Sequence, residues 1–509
     1  MRKSMIAAAA TSLTASLTLM SAPALAVDPV NTQRLRQAVT VNGILSHERA
    51  LQRIANESGG TRASSTPGYA RSAAYVKQRL AAAGYRVSEQ SFTFPFFRDV
   101  APPTLAQVSP TPLTYSTATF EYSGSGTVTG RVVPTTDIVI PPSETAASTS
   151  GCEVSDFVPA SASAPEVALV QRGTCNFEVK AANAQAAGYD AVVIFNEGQE
   201  GRQELLFGSL SRIFTVPVLG LSYADGRTLY AASEAGPVTV RATAATQSNP
   251  AARTTNVIAE SRGGDTSKVL VVGAHLDSVI EGPGINDNGS GTSTVLEVAL
   301  QMSGLKITPR QKVRFAFWGA EESGLRGSRH YVESLSSAAL SQLYATLNVD
   351  MLGSKNYARF VYDGDGSASE AGPPGSGQIE RIFTRYFASR GLASEPTAFN
   401  GRSDYGPFIA VGIPAGGLFS GAEGIKTAAQ VRRYGGTAGA PFDPCYHLAC
   451  DTTNNLSSKA LLELGDAAAH AVLTLAMTKT GLFEDRSLRT AARAGMTKQF
   501  DYLGPQAIR

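Results

Sequence analysis

The chain has 509 residues, 43% of them hydrophobic and 17% charged, with a formal net charge of +2. That length exceeds what one hydrophobic core usually supports, so two domains are expected. A near-neutral balance without basic runs interleaved with aromatics gives no reason to expect a nucleic-acid partner.

Met1–Ala26 reads as a secretory signal peptide. Arg2 and Lys3 supply a basic start, an Ala/Leu/Met-rich stretch follows, and Ala24-Leu25-Ala26 fits the small-residue cleavage pattern. No later apolar run approaches the roughly 18–20 residues that span a bilayer. The mature chain is therefore expected to be secreted, extracellular and without a membrane partner. Four cysteines in an exported chain favour disulfides over metal thiolates. Their spacing favours neighbours, Cys152 with Cys175 and Cys445 with Cys450, although the sequence alone allows other pairings. The absence of CxxC spacing argues against a structural zinc ribbon.

Residues 27–60 look helical without sharp boundaries. Thr66 is a plausible N-cap and Pro67 suits the first helical position. Tyr69, Ala73, Val76 and Leu80 recur at helical spacing before a stop at Gly84. Residues 85–97 then alternate as a strand. From Ala101 the texture changes to Pro, Thr, Ser and Gly with short β-type runs. Inside this region lies a βαβ pattern: strand 167–171, helix 176–187, strand 191–196 and a third strand at 216–221. It carries no histidine cluster and no paired carboxylates at strand ends, so it reads as a non-catalytic accessory domain stapled by Cys152 and Cys175. Composition returns to strand and helix around Arg253. The accessory domain is thus placed at 101–250, inserted into a discontinuous main domain of 27–100 and 251–480.

The chemistry gathers after position 269. Two buried-strand patterns, 269–272 and 313–318, run into Gly, and polar residues follow: His275 and Asp277 after the first, Glu321 and Glu322 after the second. A third apolar run, 345–349, ends in Asp350. Strand carboxyl ends border the ligand crevice of an open α/β sheet, so three strands deliver acids or histidine to one edge, the pattern of a metal site. His275 and Asp277 are one strand step apart, and a carboxylate there can hold the second ring nitrogen of a metal-binding histidine. Asp287 sits in Asn286-Asp287-Asn288-Gly289-Ser290-Gly291, a Gly-rich loop leading into a helix over 292–302. Glu321 and Glu322 are adjacent and need a loop to face one site, which Gly319 and Gly324 allow. Beside a metal, one would bind while the other accepts a proton. His447 lies between Cys445 and Cys450, where a small disulfide loop would hold it rigidly. Each signal alone is weak: an HxD pair or an NDNGSG loop is usually structural.

Two resemblances order these signals. The run EVALVQRGTCNFEVKAANAQAAGYDAVVIFNE resembles the protease-associated domain inserted in several exopeptidases, which implies a lid or substrate-access role. The blocks GAHLDS, NDNGSGT, FWGAEESGLRGSRHYV, NVDMLGS, GRSDYGPF and CYHLACDT resemble secreted double-zinc aminopeptidases of the aminopeptidase Y-like family, bacterial leucyl aminopeptidases in particular. The likeness covers roughly 60–95 and 253–478. It implies an α/β fold, a mixed central sheet flanked by helices (the zinc exopeptidase fold), with a β-rich α+β insert. It also implies two zinc ions: His275 and Asp350 on one, Glu322 and His447 on the other, and Asp287 bridging. Glu321 would be the general base, and Tyr446 would donate to the oxyanion or else simply pack. Arg402 would lie near substrate or merely neutralise acids. The implied substrates are peptides with a free N-terminus, with leucine or another bulky apolar residue first.

A carboxypeptidase-type exopeptidase on this scaffold would need a basic cluster, for which Arg402 and Arg432-Arg433 are the candidates. A glutaminyl-cyclase-like enzyme would hold a single zinc, and a receptor-like binding protein would lack ligands. The intact set of five speaks against both. His47, His330 and His470 fall outside the pattern. Nothing in the sequence indicates calcium, the expected state is monomeric, and residues 481–509 read as a disordered or processed tail.

Overall fold

In the computed structural model, which describes residues 27–479 and Leu482, the helical stretch at the start resolves into two elements. These are α1 (Gln33–Ala38) and α2 (Val41–Asn56), the latter capped by Thr40, whose side chain accepts from the N–H of Gly43. The expected signal peptide, and all of the tail except Leu482, lie outside the described residues. In α3 (Pro67–Ala82) the Thr66 hydroxyl accepts from the N–H of Tyr69 at 3.3 Å, and Pro67 takes the first turn, as its fixed φ and missing N–H permit.

The next strand, β1 (Arg86–Ser109), runs well past position 97. Pro102 and Pro103 break the sequence pattern, yet they fall where the β1 register slips between Ala101 and Thr104, so they remove no ladder donor. The accessory region follows with β2 (Leu113–Tyr115), β3 (Ala118–Thr119), β4 (Gly126–Pro134), β5 (Glu166–Gln171), α4 (Phe177–Ala186), β6 (Ala191–Phe195), β7 (Val218–Leu221) and α5 (Tyr223–Ala235). The chain returns along β8 (Thr239–Glu260), antiparallel to β1 over nearly its full length. Positions 101 and 250 thus fall inside a continuous two-stranded ribbon.

The remaining elements are β9 (Asp265–His275), α6 (Gly291–Gly304), β10 (Gln311–Trp318), α7 (Arg326–Ser334), α8 (Ser337–Gln342), β11 (Leu343–Val349), β12 (Phe360–Tyr362), α9 (Ser376–Ser389), β13 (Glu395–Thr397), α10 (Gly406–Ala410), β14 (Ala415–Phe419), α11 (Ala428–Tyr434) and α12 (Ser458–Met477). The sheet order is β13-β12-β14-β11-β9-β10-β8-β4-β5-β6-β7-β3, with β1 and β2 beside β8. Strands β14, β11, β9 and β10 are mutually parallel, so their carboxyl ends share one edge.

Parallel strands buried on both faces read as unbroken apolar runs, and β9 does so. Leu270 and Val272 pack into the core under α6 and α12, while Val269 and Val271 join Trp318 and Tyr331 on the opposite face. The accessory region has separate cores on the two sides of β5 and β6. One expectation needs correction: α12 is 20 residues long and apolar enough to cross a membrane by length and composition, with 72% of its most apolar window buried inside the fold. Its apolar character follows from being enclosed by neighbouring helices and sheet. Both expected disulfides are present, Cys152–Cys175 and Cys445–Cys450.

Candidate active site

His275 ends β9, paired in the ladder with Trp318 at the end of β10. Beyond Trp318 the chain turns at Ala320 (φ 52), and beyond β11 it turns at Met351 (φ 50). His447 itself has φ 57. Left-handed backbone at non-glycine residues is unfavourable and gathers where a site dictates the conformation; here it flanks Glu321 and Asp350. All four neighbouring acids and both histidines converge as a result.

Asp287 stands at the centre. Its Oδ1 lies 3.2 Å from Nε2 of His275, and its Oδ2 lies 3.2 Å from Nε2 of His447. Nε2 of His275 also faces Asp350 Oδ1 at 3.4 Å, and Nε2 of His447 faces Glu322 Oε2 at 3.1 Å. The loop around Asp287 is pinned by its two asparagines. Asn286 donates to Ser354 and Asp443 and accepts from the N–H of Gly353. Asn288 donates to the Val349 carbonyl and accepts from the N–H groups of Gly291 and Met351. Their side chains fasten the loop to β11 and the disulfide region, which leaves the Asp287 carboxylate to the site. Gly291 is required because a Cβ there would stand 2.3 Å from the Val349 carbonyl oxygen.

Sequence reasoning missed several supports. Asp451, next to Cys450, accepts from the backbone N–H groups of Asn286 and Asp287. Ser403 donates to Asp350 Oδ2 and accepts from Asn348. Arg62, wholly buried, donates to the carbonyls of Leu276, Pro283 and Gly284, clamping the loop between His275 and Asp287. Serine and arginine with such roles leave no periodic trace. Ser403 was visible only as the neighbour of Arg402.

Asp277 meets the His275 ring through its backbone carbonyl more closely than through its carboxylate. Nδ1 of His275 lies 3.2 Å from the Asp277 carbonyl oxygen and 3.7 Å from its Oδ1, while Oδ1 accepts from the N–H of Glu321 at 3.2 Å. Two residues past a strand end the backbone carbonyl is the nearer acceptor, and the carboxylate, still within ion-pair distance of the ring, also orients Glu321. Tyr446 stacks on His447 with ring centroids 3.9 Å apart, and its hydroxyl accepts from Arg402 Nη2 at 3.3 Å. Arg402 Nη1 also donates to Glu423 at 2.7 Å, so the guanidinium bridges Tyr446 to an acid the sequence did not single out. Arg433 instead pairs with Glu395, and it is absent from the pocket that Arg402 lines. His47 is satisfied by Tyr75 and Glu297, His330 stacks on Phe92, and His470 bonds Thr32.

Burial lifts the Glu321 carboxyl well above its ordinary range, with the Asp404, Glu322 and Asp350 carboxylates adding to it and His275 opposing. Burial also pushes Glu322 up to about 7. His447 would be lowered by burial, but the Glu322 and Asp287 carboxylates overcome this and raise it to about 10. Asp287, despite burial, is held well below the usual range by the two imidazoles. So dense a set of buried carboxylates demands cations.

The donors fit metal ions. The ligating atoms of His275, Asp287 and Glu322 lie within 4.8 Å of one another, as do those of His275, Glu321 and Asp350. Asp350 Oδ1 and Glu322 Oε1 are buried without a hydrogen bond, oriented where an ion would take them. Mixed imidazole and carboxylate donors suit zinc. A third group, Asp363, Asp365 and Glu380, differs: Asp363 and Glu380 already accept from the N–H groups of Gly364, Asp365, Gly366, Ser367 and Ala368, and so brace a turn.

A parallel-stranded α/β sheet with histidines and carboxylates converging at its carboxyl edge defines the class of protein, a metallohydrolase. Comparison with known proteins narrows it. Residues 256–472 match the model of Peptidase family M28, and residues 128–229 match that of the PA domain. The chain is 44% identical over 469 residues to an aminopeptidase of Pseudomonas aeruginosa, covering 90% of this chain and 85% of that one. It is 43% identical over 337 residues to leucine aminopeptidase 2 of Trichophyton rubrum, covering 66% of each. The chain belongs to peptidase family M28. An aminopeptidase from Aneurinibacillus sp. strain AM-1 shares the fold at a TM-score of 0.70 and 24% identity, over 89% of this chain and 98% of that one. A zinc aminopeptidase from Bacillus subtilis does so at 0.59 and 23%, over 87% and 96%.

Proposed function

We propose that this chain is a secreted aminopeptidase that removes leucine or another bulky apolar residue from the N-terminus of peptides, using two zinc ions. One observation carries the reading: Asp287 turns one carboxylate oxygen to each of two histidines, with Asp350 beside the first and Glu322 beside the second. His275 and Asp350 would hold one ion, His447 and Glu322 the other, and Asp287 both. Two such ions polarise a peptide carbonyl and bring the pKa of a shared water near neutrality.

The chain's own groups do the rest. Glu321 stands at the site beside His275 and Asp350, fixed through its N–H by Asp277. Its carboxylate takes a proton from the attacking water and passes it to the leaving amine, and burial makes it a stronger base for that purpose. The Tyr446 hydroxyl, kept protonated by burial and oriented by Arg402, donates to the carbonyl oxygen as negative charge builds there. Glu321 and Asp350 hold the substrate ammonium. Met351, Tyr362, Phe419 and Ala422 line the pocket beside them and favour an apolar first side chain.

Two disulfides support an oxidising destination. The division into a peptidase domain of 27–100 and 251–480 around an insert at 101–250 is supported by the separate stretches matched by the two families. The test is hydrolysis of leucine p-nitroanilide against its N-acetyl analogue, with and without a chelator. Cleavage of the free-amine compound alone, abolished by chelation, is expected. Equal cleavage of both would remove the aminopeptidase reading.

A further inference from the structure

Two cavities meet at the site. The first, about 70 Å³, is walled wholly by peptidase residues and reaches Tyr362 and Phe419. The second, about 440 Å³, shares Glu322 and His447 with the first and is lined by residues of both parts of the molecule. Phe96 on β1, Phe207 of the insert and Ile280 on the loop after β9 are among the apolar residues that line it. Pockets for whole drug-sized ligands span about 300–1000 Å³. The larger cavity falls in that range and suits several residues, whereas the smaller suits a single side chain.

An exopeptidase must place one residue in a confined pocket and let a chain of any length leave on the far side of the scissile bond. The second cavity is suited to that path, because it joins the catalytic cluster at Glu322 and His447 and is the roomier of the two. Its lining carries three further acids: Asp99 on β1, Glu121 between β3 and β4, and Glu281 on the loop after β9. Burial raises the Asp99 and Glu121 carboxyls, and the proximity of Glu281 raises both further, with Arg326 offsetting at Glu121. The lining guanidinium, Arg98, is turned to Gln247 at 2.8 Å.

Resting on the aminopeptidase reading, we infer that this groove holds the peptide beyond the scissile bond and favours a basic side chain at the second or third residue. The insert contributes Phe207 and Glu121 to this substrate groove, while Phe96, Asp99 and Glu281 come from the peptidase part, so the two parts together grip the extended backbone and read its charge.

The experiment compares kcat/KM for Leu-Lys-Lys-Ala and Leu-Glu-Glu-Ala in the zinc-loaded enzyme and in the Asp99→Asn/Glu281→Gln double variant. Both substituted residues are exposed, so the variant should fold, which its Tm checks. The expected result is a roughly fivefold to tenfold preference for the lysine peptide, the scale of two exposed charge pairs. It should shrink below about twofold in the variant and in 1 M salt. Equal rates on the two peptides by the unaltered enzyme, or a preference that persists in the variant, would overturn the inference. Leucine p-nitroanilide, assayed alongside, separates the two claims. Turnover of that compound with no peptide preference defeats the groove alone, and no turnover at all defeats the aminopeptidase reading and the groove with it.

Discussion

The backbone N–H of Glu321 donates to Oδ1 of Asp277 at 3.2 Å, across 44 residues of sequence. One carboxylate thereby links the end of β9 to the turn after β10, and Asp277 sets where the neighbouring glutamates stand. Asp277→Ala should lower kcat and zinc affinity by roughly 10–100-fold, the usual effect of losing a group that orients metal ligands. Zinc titration followed by steady-state kinetics checks both, and unchanged values would mean the turn holds Glu321 unaided.

Glu321→Ala should keep its zinc and lose about 10²–10⁴-fold in kcat, since the protein's ligands remain while proton transfer does not. Metal analysis of the purified variant beside its kcat decides this. A variant with near-normal turnover would place the general base elsewhere.

Metal removal should also cost stability. The buried carboxylates of Asp287, Glu322 and Asp350 repel one another unless cations lie between them, and a ligand that binds only the native state at a thousand times its Kd stabilises by about 4 kcal/mol. Dialysis against a chelator should lower Tm on the order of 10 °C, and added zinc should restore it. An unchanged melting curve would argue against the metal site.

His470 predicts a pH effect far from the catalytic cluster. Its ring stacks on Tyr386 and bonds Thr32, and burial lowers its pKa to about 4, with Arg36 adding to the effect and Asp466 opposing. The folded state therefore binds this proton less readily than the unfolded chain, whose histidine titrates near 6.5. Stability is fully present above about pH 6.5 and falls as pH drops toward 4. In His470→Asn the loss of unfolding free energy between pH 7 and pH 4.5 should be smaller by about 2 kcal/mol. Urea titrations at the two pH values measure it, and parallel losses in both proteins would exclude His470 as the cause.

The Cys152–Cys175 bridge closes a loop with a sequence separation of 23. Replacing both cysteines with serine should destabilise the insert by about 3 kcal/mol if chain entropy dominates. Limited proteolysis should then cut first within 128–229, the stretch matched by the PA domain. Cleavage beginning in the peptidase core instead would show that the bridge does not govern local stability.

The strands that carry the site were legible because a parallel strand buried on both faces is an unbroken apolar run, and because His275, Asp287, Glu321, Glu322, Asp350 and His447 keep family spacing. The α3 cap, the βαβ pattern of the insert and both cysteine pairs were legible for equally local reasons. Local chemistry could not reveal the length of β1, whose three prolines, Pro95, Pro102 and Pro103, are harmless only where its register slips against β8. Nor could it show which atom of Asp277 meets His275, or that Ser403, Asp451 and Arg62 brace the ligands. Those contacts join residues remote in sequence, and a hydrogen bond across the fold leaves no period or composition behind it. The sequence by itself determined which donors are present and which strands deliver them. Only the tertiary structure decided which oxygen faces which nitrogen, and which cavities meet at the cluster, because distance and direction exist only once the sheet has brought its strand ends together.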